Sequence, residues 1–350
     1  MEYLTAELPG TGGAIKVALE DFIVEEIPAY LPSGEGQHVF LLVEKRGLTT
    51  QEMVRRLAQV LGVASEDVGT AGQKDRQAVA RQFVSVPGQG LDLDRLAALQ
   101  LDGVTILSTA RHPHKLRTGH LRGNRFTLVV RGVGEGAEAR ARAILAMLEA
   151  VGVPNRYGAQ RFGMRGDNAA QGRAVLTGKL RVPDRFRRRL LVSALQADLF
   201  NRYLSRRMVD RLLDRVLDGD ILQRSPTGGL FTCPADEVEV AQRRLAAREI
   251  VPTGPIFGHA MMAPPPGTTA HEREREILAE AGLEASDFGR LGRLAEGTRR
   301  PLVARLDGVE VRADGDRLCV GFALPAGSYA TVVLEEIMKP GAPLAVAEEA

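Results

Sequence analysis

Apolar positions alternate with polar ones near both ends of the chain and recur at helical spacing through its middle. Residues 14–27 are rich in β-branched and apolar types, and a loop follows at Pro32-Ser33-Gly34 and Gly36. Val39 to Glu44 then reads as a strand. Thr49-Thr50-Gln51-Glu52 has capping-box spacing, and Met53, Leu57, Val60 and Leu61 repeat one helical turn apart, which predicts a helix over 50–61. Short strands are expected at 83–86 and 104–108. Over 125–131, Phe126, Leu128 and Val130 alternate with Thr127, Val129 and Arg131, as in a half-buried strand. Residues 137–151 are helical in composition. Between about Tyr157 and Arg300 the pattern turns helical, with long helices expected over 187–217 and 272–281 and a Pro/Gly-rich loop over 251–267 between them. Strand character returns at 301–306 and 317–323, and a last helix is expected to start at Ser328 as N-cap. Strand-rich ends around a helical middle suggest an inserted domain.

With 350 residues the chain is long enough for two domains. No apolar run approaches the ~20 residues of a membrane span, and the first residues lack the basic and apolar regions of a secretory signal. Two widely separated cysteines, Cys233 and Cys319, have no metal-ligand spacing, so a reduced, cytoplasmic chain is expected. A net charge of +2 says little, but its distribution says more. From Gly103 to Gly134 there is no acidic residue, against Arg111, Lys115, Arg117, Arg122, Arg125 and Arg131. From Val151 to Leu190 ten basic residues meet only Asp167 and Asp184, while acids gather elsewhere, as at Glu335, Glu336, Glu348 and Glu349. Two basic segments in a near-neutral chain suit a phosphate-backbone surface. An Arg-favouring composition, in which six of 46 cations are lysine, suits plain solvated faces equally well.

The stretch Gly69-x-x-Gly72-x-Lys74-Asp75 has too short a spacing for a phosphate loop, and Asp stands where a Mg-binding hydroxyl belongs. No Gly-x-Gly-x-x-Gly opens a helix, so no nucleotide cofactor is expected. His112, His114 and His120 cluster in a basic segment without a carboxylate, and His271-Glu272 lacks a second histidine. RNA-facing or structural roles suit these histidines better than metal ligation. Asp75, between Lys74 and Arg76 and near Arg81, reads two ways. It could cap a short helix over 76–80, or it could be a carboxylate kept ionised by flanking cations and aimed at a sugar carbon.

Several longer words decide more. They are Asp21-Phe22-Ile23-Val24-Glu25-Glu26, Lys45-Arg46-Gly47-Leu48-Thr49-Thr50, Ala71-Gly72-Gln73-Lys74-Asp75-Arg76-Gln77-Ala78 and Gly123-Asn124-Arg125-Phe126-Thr127. Gly152-Val153-Pro154-Asn155-Arg156-Tyr157-Gly158-Ala159-Gln160-Arg161-Phe162-Gly163 and Leu324-Pro325-Ala326-Gly327-Ser328-Tyr329-Ala330-Thr331 follow in order. This string resembles the TruD family of tRNA pseudouridine synthases.

The resemblance implies an α+β fold: a pseudouridine-synthase catalytic core with a mixed sheet flanked by helices, plus an inserted helix-rich α/β domain. The core would comprise 1–155 and 304–350, and the insertion 156–303. The implied activity is isomerisation of uridine to pseudouridine at position 13 of the D-arm, notably in tRNA(Glu). It would need no metal and no organic or nucleotide cofactor. The implied protein is a cytoplasmic monomer with tRNA as its partner and no membrane. Asp75 matches the family's catalytic aspartate, and Asn124 and Phe126 match an Asn-x-Phe motif lining the uridine pocket. Phe22 and Lys16 fall where further pocket and carboxylate-pairing groups are placed. Lys74, Arg76, Asn155, Gln160 and Arg161 are the remaining expected RNA contacts. Arg156-Tyr157 departs from the aromatic pair more usual there.

A target base stacked in folded RNA must be extruded, at a few kcal/mol, and an aromatic such as Phe126 can stack on it. Asp75 would then attack C1′ or remove the C2′ proton. Three rivals remain at this stage: a non-catalytic RNA-binding module, a base-releasing glycosylase, and a synthase acting on other RNAs.

Overall fold

The computed structural model describes residues 2–225 and 227–340, so Glu348, Glu349 and the end of the expected 304–350 segment lie outside the described residues. The first part of the chain forms β1 (Phe22–Pro28), β2 (His38–Arg46), α1 (Thr50–Leu61), β3 (Gly69–Thr70), β4 (Val79–Pro87) and α2 (Leu93–Ala97). It continues through β5 (Gln100–Leu101), β6 (Val104–His112), β7 (Leu121–Arg131), α3 (Ala137–Val151) and β8 (Val153–Pro154). The middle holds α4 (Asn168–Leu176), α5 (Arg185–Val209), β9 (Ile221–Arg224), β10 (Leu230–Thr232), α6 (Val238–Ala246), β11 (Ile250–Ile256), α7 (Thr269–Glu280) and β12 (Thr298–Pro301). The last part forms β13 (Val303–Ala304), β14 (Asp307–Asp314), β15 (Arg317–Pro325) and α8 (Ala330–Met338).

Both ends of the chain build one sheet, in the order β14-β15-β7-β1-β4-β2-β6-β5, with β3 beside β4. The sheet is mixed: β1 and β4 run parallel and the other neighbours antiparallel. Helices flank it, which makes the fold α+β. Strand alternation sorts its residues: Val39, Leu41 and Val43 pack under α1 with Met53 and Leu57, while Phe126, Leu128 and Val130 pack with α3 and α8. Gly123 lets β7 and β15 close up, since a Cβ there would stand 2.2 Å from the Leu324 carbonyl oxygen.

A third core joins α4, α5 and α7 through Val175, Leu176, Leu195, Leu199, Phe200 and Ile277. Two buried ion pairs sit beside it: Arg207 with Asp220 at 3.1 Å, and Arg299 with Glu274 at 2.8 Å.

The helix over 50–61 forms as expected, with Thr49 and Glu52 closing a reciprocal capping box. The helix over 137–151 also forms within the expected bounds. Four expectations need correction. Of residues 14–27, only those from Phe22 on are strand, because Leu19–Asp21 makes a 3-10 turn closed by the Ala18 N–H on Asp21. The expected helix over 187–217 ends at Val209. There the fully buried Arg207 gathers the carbonyls of Leu212 and Arg215, so the chain wraps around its guanidinium instead of continuing. The Pro/Gly-rich stretch over 251–267 is a loop only after Ile256. Its first residues are β11, which pairs with β9 through Pro252 and with β12 from Thr253 on. The changing neighbour leaves each proline a side where no N–H is needed. β14 is an edge strand whose charged, exposed residues give no apolar alternation to read. The last helix starts after Tyr329 without a side-chain cap, because the Ser328 hydroxyl turns to the Asn155 side chain.

Candidate active site

Side chains at alternate positions of β1 share a face, so Phe22, Val24 and Glu26 point the same way. Phe126 of β7 stands opposite Val24, and Asn124 opposite Glu26. The loop into β4 brings Asp75 to the edge of this surface. No helix follows Asp75: the chain passes through a bend and enters β4 at Val79, so the capping role considered for this carboxylate is absent.

The loop is tied from behind by a charge that the strand pattern would reserve for an apolar residue. Lys45 follows Val39, Leu41 and Val43 on the inward side of β2 and is fully buried. Its ammonium donates to the carbonyls of Asp75 at 2.6 Å and Leu48 at 2.5 Å. One residue earlier, the Lys74 N–H donates to the Thr50 hydroxyl at 2.9 Å, anchoring the loop on the first turn of α1.

The carboxylate itself faces Lys16, whose ammonium donates to Asp75 Oδ2 at 2.8 Å and lies 4.4 Å from the Phe22 ring centre. Lys16 is 5% exposed and Asp75 29%, so the cation is fixed inside while the acid can meet a ligand. Lys16 adopts φ +56°, a conformation that side-chain-bearing residues seldom take and that marks strain at this point. The cations nearest in sequence do not pair with Asp75. Lys74 is buried on Glu26 at 3.0 Å, Arg76 lies 3.7 Å from Glu52, and Arg81 bonds Glu44 at 2.9 Å and also Glu25.

In front of Asp75 opens a cavity of about 340 Å³. Phe22, Val24 and Phe126 make its apolar side. Asn124, Leu121, Lys74 and Gln160 also line it, together with the segment from Ala326 to Thr331 that leads into α8. Phe126 is held edge-on to Phe22 at 6.1 Å and packs on Phe322 at 5.5 Å. The Asn124 side-chain oxygen is buried without a hydrogen-bond partner among the described residues, which is rare unless a ligand or water supplies one. The volume lies near the low end of the ~300–1,000 Å³ typical of small-ligand pockets.

Against this geometry we compared the chain with known proteins. A family model described as tRNA pseudouridine synthase D (TruD) matches residues 1–182 and 180–337. A tRNA pseudouridine synthase D of Anaeromyxobacter dehalogenans is 49% identical, with 98% of each chain covered. The chain belongs to the TruD family. A Thermus thermophilus relative of the same name is 43% identical, covering 96% of this chain and 92% of its own. The crystal structure of a proposed TruD from Methanosarcina mazei shares the fold, with TM-score 0.81 over 97% of this chain and 96% of the other, at 24% identity.

Of the expected TruD site residues, Phe22, Lys74, Asp75, Asn124, Phe126 and Gln160 line one cavity, and Lys16 backs it. Arg76 stays outside it. Asn155 stands behind it as a tie, accepting from Arg300 at 2.6 Å and donating to the Pro301 carbonyl at 3.1 Å. Arg161 leans on the Tyr157 ring at 5.2 Å. Sequence reading missed Glu26, Lys45, Thr50 and Arg300. Arg300 stacks on Tyr157 at 4.3 Å and donates to the carbonyls of Asn155 and Gly327, joining the middle of the chain to the wall of the cavity. A lysine on the inward beat of β2 was a visible signal for Lys45; nothing local marked Arg300.

Proposed function

We propose that this protein isomerises uridine to pseudouridine at position 13 of the D-arm of tRNA(Glu), with Asp75 acting at the ribose of the flipped nucleotide. Family membership makes the chain a tRNA pseudouridine synthase, an intramolecular isomerase. The role given to Asp75 is supported by one observation, an ion-paired, solvent-reachable carboxylate at the mouth of an aromatic-floored cavity of about 340 Å³, and the choice of position 13 by the family resemblance.

In the proposed course, extrusion of the uridine costs a few kcal/mol, and stacking on Phe126 returns roughly 1–3 kcal/mol. Asp75 attacks C1′ or takes the C2′ proton as the C1′–N1 bond breaks. The uracil turns within the cavity and C5 bonds to C1′, displacing the carboxylate in the first route or with the abstracted proton returned to C2′ in the second; the C5 proton then leaves and N1 regains one. Lys16 keeps the carboxylate oriented. The Asn124 amide supplies an unpartnered polar group for the edge of the base. Lys74, Arg76, Gln160 and Arg161 would meet the RNA, and Asn155 would hold the wall behind it. Residues 1–155 and 304–350 would form the catalytic unit, with 156–303 as an insertion that sets substrate choice.

The test is an unmodified tRNA(Glu) transcript incubated with the protein and EDTA, then carbodiimide labelling and primer extension. A stop at position 13 that disappears with Asp75→Asn, at tRNA affinity within a few-fold, is expected. Turnover by Asp75→Asn would refute the carboxylate's role. Release of free uracil would mean a glycosylase, and tight binding without a stop would mean another RNA or a binding module.

A further inference from the structure

A second cavity, of about 790 Å³, opens beyond the Asp75 site and takes no part in the chemistry above. Tyr30, His38, His112, His114, Lys115 and Arg117 line it, and no carboxylate is among its described lining residues. Neither Lys115 nor Arg117 has an acidic partner within salt-bridge distance among the described residues, unlike Lys16 and Lys74. Lys115 is oriented instead by the Glu66 carbonyl, which leaves its charge in place.

The cavity also has a flat wall. The Tyr30 ring stacks on His112 with centres 5.1 Å apart and planes 18° from parallel. Phe40 lies behind His112 at 4.6 Å, and the Tyr30 hydroxyl is 2.7 Å from His120 Nδ1. Burial, with His114 and His38 beside it, holds His112 below the usual imidazole value, so at neutral pH it is an uncharged ring. The Nδ1 atoms of His38 and His112 are buried without hydrogen-bond partners among the described residues, so packing alone sets these rings. An uncharged aromatic platform ringed by cations is what a nucleotide needs: a face for the base and charge for the phosphate.

The two cavities adjoin. Leu121 lines the first and His120 the second, and the Gly119 N–H donates to the Ala71 carbonyl at 2.8 Å, at the start of the Asp75 loop. A shared apolar cluster of Phe40, Ala71 and Leu116, with Tyr30 and Leu121 against it, forms the partition.

We propose that this pocket captures one further nucleotide of the RNA, a short way along the strand from the target uridine, by stacking its base at Tyr30 and holding its phosphate with His114, Lys115 and Arg117. The proposal rests on the reading of this protein as acting on RNA. Holding a neighbour unstacked would stabilise the extruded state of the target, because an isolated gap in a stack recloses more readily than one propped open beside it.

The test uses Asp75→Asn protein bound to tRNA(Glu) transcripts carrying 4-thiouridine at single positions flanking the target. After irradiation and digestion, adducts are located by mass spectrometry. At least one position should cross-link to Tyr30 or to the segment from His112 to His120. Independently, His114→Ala combined with Arg117→Ala, both at exposed side chains, should raise KM for tRNA roughly tenfold with kcat within about twofold. The slope of log affinity against log salt should flatten by about one, for the loss of the Arg117 charge. Adducts confined to the wall around Asn124 and Phe126, or an unchanged KM and salt slope, would overturn the proposal. If the wild-type protein left the tRNA unmodified, the reading of this tRNA as its substrate would fall, whereas adducts at Tyr30 would still support an RNA pocket here.

Discussion

Replacing Lys45 by methionine separates the position of Asp75 from its chemistry. Lys45 is fully buried and is not among the residues that line the cavity; its ammonium spans the Asp75 and Leu48 carbonyls at 2.6 and 2.5 Å. Hydrogen bonds from a charged donor are worth about 1.5–3 kcal/mol each, so removing both forfeits roughly 3–6 kcal/mol. Methionine has nearly the same length, fills the space, and removes a buried charge whose desolvation costs several kcal/mol. These contributions oppose each other, and global stability should change by no more than about 2 kcal/mol. Position has no such compensation. The loop keeps its Thr50 anchor at Lys74 but loses the tie behind Asp75 itself. A displacement of ~1 Å at a catalytic group can cost about 100-fold in rate. Lys45→Met should therefore lower kcat by roughly 10- to 100-fold, leave KM within a few-fold and keep the folded spectrum. The assay is single-turnover release of tritium from tRNA labelled at uridine C5, the proton that isomerisation expels, alongside urea denaturation. A variant with wild-type kcat would refute the positioning role, and one that failed to fold would refute the offset.

Other outcomes follow from the same reasoning. Asp220→Ala leaves the buried Arg207 without its carboxylate and should cost about 3–5 kcal/mol in urea denaturation, while adding Arg207→Met should restore much of it; equal losses in both variants would contradict this. Burial alone would raise Asp21, but the paired hydrogen bonds from Arg131 at 2.7 and 2.9 Å and the N–H of Ala18 outweigh it and hold the carboxyl below its usual range. A lowered folded value stabilises above the unfolded value near ~4 and loses that contribution as pH falls through the folded one, so the Tm gap between wild type and Asp21→Asn should shrink on acidification below about pH 4. A gap independent of pH would count against the pair. Burial pushes the Cys233 thiol up to about 11, so at pH 8 a thiol reagent should label Cys319 first and Cys233 only on unfolding; rapid labelling of Cys233 would refute its burial.

How much of this was legible in advance depends on how far apart the interacting groups lie in the chain. The α1 boundaries follow from Thr49 and Glu52, three residues apart, and β7 from strict alternation of Phe126, Leu128 and Val130. Such signals are local, and local geometry obeys them wherever the element ends up. The words around Asp75, Asn124 and Gln160 were visible for the same reason, each being a contiguous stretch, and the fold brings them to one cavity. Partners were not legible from proximity, and only the family resemblance pointed to Lys16 as a carboxylate-pairing group. Proximity favoured Lys74, Arg76 and Arg81 as the cations of Asp75, yet assembly of the sheet turns Lys74 onto Glu26 and brings Lys16 across 59 positions. β11 forms through Pro252 and Pro255 because β9 and β12 lie on either side of it, and α5 stops at Val209 because Arg207 finds Asp220 beyond the turn. The sequence by itself determined the elements that carry a local signal, such as α1 and β7, and where the chemical groups fall along the chain. The tertiary structure decided which charges meet, because that depends on distances set only when strands remote in the chain come side by side.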